Sequence, residues 1–86
     1  MEKQYLVAEV LEKNRLCHRC KDEFQLGSIK IGKFENRRWN HFHPGCFWAH
    51  PPNKQLKPQE MMCYGSLSGD QQQEIDTLHK KFINTE

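Results

Sequence analysis

Residues 17–20 read CHRC and residues 41–48 read HFHPGCFW, and the spacing within and between these stretches decides what kind of small protein this is. The first stretch is a C-x2-C pair. It sets two thiolates on one tight turn facing a common centre, which is half of a tetrahedral zinc site. Between Cys20 and His43 lie 22 residues, too many for a two-histidine finger, and no second histidine follows at finger spacing. His43-Pro44-Gly45-Cys46 is instead H-x2-C. Pro44 has no amide hydrogen and suits the first turn of a helix, and a helix starting there turns Cys46 back toward the imidazole. Cys17, Cys20, His43 and Cys46 are therefore expected to hold one structural Zn2+. His41 is a rival for His43, because a longer turn could also join it to Cys46. Four protein ligands would leave no zinc position for water, and the chain offers no nucleophile set and no phosphate-cradling glycine loop. Neither catalytic residues nor a small-molecule substrate are expected, and the protein reads as a non-enzyme.

The remaining thiols and histidines fit less well. Cys63 lies 17 residues past Cys46 with no close partner and is expected to be a free, half-buried thiol. His18 stands between two ligands and should point outward, and His50 would compete only on a helix longer than Pro51-Pro52 allows. Other uses of CHRC fail on context. A redox pair needs a larger sheet, covalent haem attachment needs histidine where Lys21 stands, and disulfides need a secretory signal that MEKQYLVAEVLEK does not resemble.

Size makes a staple necessary. A chain of 86 residues forms one domain, 1–86, and hides only about 60% of the surface its unfolded form exposes. Hydrophobic residues are 36% and charged residues 28% of the chain. Yet Val7, Leu11, Leu16, Phe24, Ile29, Ile31, Phe34, Trp39, Phe42, Phe47 and Trp48 recur too regularly for disorder. No apolar run approaches the roughly 20 residues that span a bilayer, so a reducing intracellular compartment and no membrane contact are expected.

Local patterns give an α+β scaffold with a short antiparallel sheet and a C-terminal helix. QYLVAEVLEK alternates as a strand, with Tyr5, Val7 and Glu9 on one side, although its pattern also admits a helix, and FQLGSIKIGKFENRRWNHF reads as further strands with FENRRW as a turn or loop. HPGCFWAH opens a short helix, and PPNKQLKPQEMMCYGSLS is an irregular connector. From Gly69 the pattern is helical, with Asp70 as cap, Gln73 three residues on, and Ile75, Leu78, His79 and Phe82 on one face. Phe47 and Trp48 are assigned to the core, whereas Phe34 and Trp39 fit either core or surface.

Charge is distributed unevenly. Residues 1–12 carry one basic and three acidic side chains, residues 13–57 ten and three, and residues 58–86 two and five. A basic middle between acidic ends is the footprint of a patch that meets a polyanion, most often nucleic acid.

Tyr5-x-Val7, CHRC, GSIKIG, HPGCFW and YGSLSGDQQQEI follow one another in an order that resembles the zinc finger of the poly(ADP-ribose) polymerase type, found also in DNA ligase III and plant DNA 3′-phosphatases. The likeness runs nearly end to end, and its most distinctive part is G-x-L-x-x-D-Q-Q before the closing helix. It implies a nuclear, zinc-dependent module that binds DNA nicks, gaps and ends without reading sequence, alongside repair or replication proteins. Such a module could stand alone or open a larger protein. A protein-interaction module with a purely structural zinc site is the alternative. The resemblance puts Lys30 where relatives carry a phosphate-binding arginine and Arg15 near another basic position. Arg37 and Arg38, adjacent and so expected to face opposite ways on a strand, offer one further phosphate contact. Phe34 and Trp39 are the candidates for stacking on exposed bases. The chain departs from the family in two ways. The loop around Phe34–Asn40 is short, and Trp39 stands two residues before His41, the spacing that relatives show to their ligand histidine.

Overall fold

The computed structural model describes residues 4–12 and 15–83. It is a small α+β fold, as the sequence patterns predict. Strands β1 (Gln4–Glu9), β2 (Ile29–Glu35) and β3 (Arg38–Phe42) form one antiparallel sheet in that order. Helix α1 spans Pro44–Ala49 and helix α2 spans Gly69–Ile83. No helix among the described residues is long and apolar enough to cross a membrane.

The β2–β3 connection is tighter than expected. Glu35 pairs with Arg38, leaving Asn36 and Arg37 as a two-residue turn with φ of 55° and 64°. Positive φ at both positions is the type I′ geometry whose twist matches the flanking strands, and asparagine tolerates it well. Phe34 and Trp39 are consequently paired strand residues, not loop residues. Arg37 lies in the turn while only Arg38 is on a strand, so the expected strand alternation of the two arginines does not apply.

Pairing register separates the two faces. Val7 opposes Ile31 and Glu9 opposes Ile29, and Phe42 opposes Ile31 from the other side. This face meets Phe47, Trp48, Met61, Leu67 and Ile75 from the helices and connector to form the main core. Phe47 and Trp48 are fully buried, as assigned from sequence. Leu11 and Leu16, which the hydrophobic pattern counts toward a core, are 75% and 54% exposed.

The connector carries three single 3-10 turns, Pro51–Asn53, Pro58–Glu60 and Tyr64–Ser66. Its polar groups are tied in. Trp48 Nε1 donates to the Leu56 carbonyl at 3.1 Å, Asn53 Nδ2 donates to the Phe47 carbonyl at 2.9 Å, and buried His79 reaches the Lys54 carbonyl at 2.8 Å. Tyr64 and Gln59 both donate to the Asp76 carboxylate at 2.7 Å, which clamps the connector to α2. The connector also covers the free edge of β1. Val7 N donates to Met62 O at 3.0 Å and Met62 N to Tyr5 O at 2.9 Å, which blunts an edge that could pair with another chain.

The cap of α2 is Ser68, not Asp70. Gln71 N donates to Ser68 Oγ at 3.1 Å while Ser68 N donates to Gln71 Oε1 at 2.9 Å, a reciprocal capping box. The helix starts at Gly69, as the pattern predicts, and only the capping residue differs. Asp70 falls inside its first turn, where a carboxylate faces the positive end of the helix dipole. Ile75 and His79 are buried, with Leu78 and Phe82 packed against the core, as the periodicity predicts.

Candidate metal centre

The cluster is built from two turns that the sheet brings together. Leu16 bridges Glu23 in antiparallel fashion, and Cys17 N donates to Asp22 O at 2.9 Å while Lys21 N donates to Cys17 O at 2.9 Å. This closes residues 16–23 into a knuckle. Lys21 turns the chain at φ 67°, a left-handed position that usually favours glycine. The knuckle is docked on the outer edge of β3 by a bond from His18 N to His41 O at 2.8 Å. The second turn is the start of α1, where Pro44 opens the helix and the His43 carbonyl accepts from Phe47 N at 2.9 Å. His43 and Cys46 thereby flank one helical turn.

Cys17, Cys20, His43 and Cys46 each present a ligand atom, and these atoms all lie within 4.8 Å of one another. His43 Nδ1 is 3.3 Å from Cys20 Sγ and 3.9 Å from Cys46 Sγ. Tetrahedral zinc with bonds of about 2.3 Å to sulfur and about 2.0 Å to nitrogen would place nitrogen and sulfur roughly 3.5 Å apart, so these distances suit that ion. The tautomer suits it too. His43 Nε2 lies 3.1 Å from the Glu23 carbonyl oxygen, which can accept only its N–H, so the Nδ1 lone pair is left to face the thiols. Phe24 packs on the imidazole with ring centroids 4.7 Å apart and fixes its plane.

The thiols are close enough to shift one another's titration. Burial raises the Cys17 thiol, but backbone amides of Cys20, His43 and Arg19, together with the Cys20 side chain, outweigh it and lower Cys17 to about 6. Cys46 is pushed up to about 12 by burial and by Cys17 and Cys20, whose sulfurs accept a hydrogen bond from its S–H and disfavour a further negative charge beside them. Thiolates crowded in this way repel one another, and a divalent cation removes that repulsion. The chain's own residues therefore fit a metal ion, and a Cys3His donor set is one typical of structural zinc.

His41 does not join the cluster. Its side chain belongs to the opposite parity of β3 from Phe42, across from Gly32. Burial, then the positive charges of Lys30 and Arg15, push it down to about 4, and its Nδ1 is buried without a hydrogen-bond partner. Cys63 is also apart from the quartet. It is exposed rather than half-buried, because it sits at φ 68° at the head of the Tyr64–Ser66 turn instead of against the core.

The other candidate contact residues divide between surfaces. Lys30, Phe34 and Trp39 share with His41 the face of the sheet opposite the helices, and Arg15 lies close enough to Lys30 for its charge to lower that ammonium, after burial. Arg37 is exposed at the hairpin tip, and exposed Arg38 follows the other parity, with Asn40 and Phe42. Two features had not been singled out from sequence. The Glu23 carbonyl that orients His43 leaves no signal, since any residue has a carbonyl. Gly32 does leave one, because a lone glycine inside a strand pattern marks a close approach. A methyl group there would stand 3.1 Å from Leu6 Cγ and 3.2 Å from Trp39 Cε3.

A scan against models of known protein families matches none of them to this chain, and no curated protein matches it either.

Proposed function

We propose that the protein is a zinc-stapled module that binds broken DNA, recognising nicks, gaps and ends without reading sequence, and that it is not an enzyme. The observation that carries this reading is that Lys30, Phe34 and Trp39 share one sheet face, with Arg15 close enough to act on the charge of Lys30. Lysine and arginine meet phosphates present in any duplex, whereas an aromatic ring gains only where a break exposes a base face. The resemblance of the motif order to poly(ADP-ribose) polymerase-type fingers supports the same reading, as does the basic middle of the chain. On it, the ion is zinc with all four positions held by protein, and the protein works in the nucleus next to repair or replication proteins.

Binding of nicked, blunt-ended and closed circular duplex, each at low and moderate salt, tests the proposal. Broken forms should bind more tightly than the closed circle, with affinity falling steeply as salt rises. Equal affinity for all three forms would reject break recognition. A second reading, a protein-docking module with a structural metal, is favoured by Leu11, Leu16 and Leu26, which are 75%, 54% and 56% exposed near the knuckle. It would show no salt-dependent DNA affinity in the same titration.

A further inference from the structure

The face of the sheet away from the helices has a composition that the main core does not need. By register, Leu6 and Ala8 of β1, Lys30, Gly32 and Phe34 of β2, and Trp39 and His41 of β3 all belong to it. Trp39 and Leu6 close over Gly32, which is buried beneath them. Phe34 and Trp39 oppose each other across the strands, with ring centroids 5.2 Å apart and planes inclined by 49°. Both rings remain partly exposed, seated on the sheet rather than projecting from a loop; Lys30 is on the same face, four residues back along β2 from Phe34, with Arg15 and Glu12 close enough to act on its charge.

We propose that this face is a platform for unpaired DNA, on which bases of a single strand lie against Phe34 and Trp39 while Lys30 and Arg15 follow the phosphates. The proposal rests on the nucleic-acid reading above and narrows its ligand from a break in general to the unpaired strand at a gap or flap. Two physical arguments support it. A ring that projects from a loop can cap the end of a base stack, whereas two rings set side by side on a flat sheet offer a surface to successive bases only if those bases have left the duplex. Charge complementarity agrees, because single strands pair a flexible phosphate chain with exposed base faces, and this surface pairs cations with aromatic rings.

Tryptophan emission tests it directly, since Trp48 is buried in the core and Trp39 is the partly exposed indole. The metal-loaded protein should bind a short oligo-dT strand and a gapped duplex more tightly than an intact hairpin duplex, with quenching of Trp39. Phe34→Ala should weaken oligo-dT binding by about 5- to 150-fold, the loss of one stacked base, with metal content and melting temperature held close to the parent's. Lys30→Ala should lower the salt slope by about one counterion. Because Trp39→Ala could loosen the sheet over Gly32, Phe34→Ala and Lys30→Ala carry the test without it. If the parent binds nicked or blunt-ended duplex but oligo-dT no better than intact duplex, or if oligo-dT leaves Trp39 emission unchanged, the platform is overturned while break recognition stands. If no DNA form binds, both readings fall together.

Discussion

Two small cores meet at α1, and they are held by different forces. Below the helices, Val7, Ile29, Ile31, Phe47, Trp48, Met61, Leu67 and Ile75 form a continuous apolar cluster. Beside it, the knuckle has only Val10, Cys17 and Phe24 buried, with Phe42 and Cys46 packed against them. At about 25 cal/mol per Å2 of apolar surface, three buried residues contribute far too little to fix a turn that also places Lys21 in a left-handed conformation. The first region can be stabilised by burial alone. The second depends on whatever joins its four ligand side chains. Cys46 faces one region and the adjacent Phe47 and Trp48 face the other, so α1 couples them. A metal lost from the knuckle should therefore be felt in the main core.

Metal removal should break this comparison most severely, because folding free energy of order 10 kcal/mol accompanies structural zinc binding. A strong chelator should abolish the cooperative melt and shift Trp48 emission to the red. Acid should act in the same direction. A thiolate held by metal has its proton affinity depressed below that of the unfolded chain, so its contribution is present above the unfolded thiol pKa and lost as pH falls. Metal affinity, measured against a competing chelator, should accordingly weaken with acidification: Cys46, pushed up to about 12 in the metal-free cluster, must give up a proton at any working pH, and below about 6 Cys17 must do so as well, so the loss steepens there. Trp48 emission and melting that stay unchanged after removal, verified by elemental analysis, would show that the main core needs no help from the knuckle.

The two histidines sharpen the comparison at the next level. His43→Ala removes the Nδ1 that lies between two thiols and should weaken metal binding by more than the roughly 10- to 100-fold typical of losing a group that merely orients a ligand. His41→Ala should leave one equivalent of metal bound. The opposite result would move the ligand to His41 and require the knuckle to dock differently on β3.

A lesion confined to the main core should be smaller and leave the centre intact. Ile75→Ala removes a side chain that is 1% exposed and should cost about 2–5 kcal/mol. Its melting temperature should fall while metal stoichiometry stays at one. Loss of metal from this variant under native conditions would mean that the two regions are one structure and that their contrast is only descriptive.

Much of this organisation was legible in the chain. The x2 spacings predicted the quartet Cys17, Cys20, His43 and Cys46 because ligand geometry on a turn is set by a few consecutive residues, and Pro44 predicted the start of α1 for the same reason. Period-two and period-3.6 patterns placed β1 and the buried face of α2. The resemblance to poly(ADP-ribose) polymerase-type fingers came from motif order and remains a proposal. The tertiary structure decided what depends on residues far apart. Spacing favoured His43 but left His41 open, because a longer turn could also join His41 to Cys46. Only the register of β3 against β2 set them on opposite fates, His41 on the face across from Gly32 and His43 beyond the strand end, beneath the Glu23 carbonyl. Likewise, FENRRW read as a turn or loop of undefined extent until the Glu35–Arg38 pair closed it at two residues and laid Phe34 and Trp39 side by side on the sheet. Spacing along a chain fixes which atoms can share a centre. Which face a side chain occupies depends on strand pairing, and a one-residue shift in register reverses it.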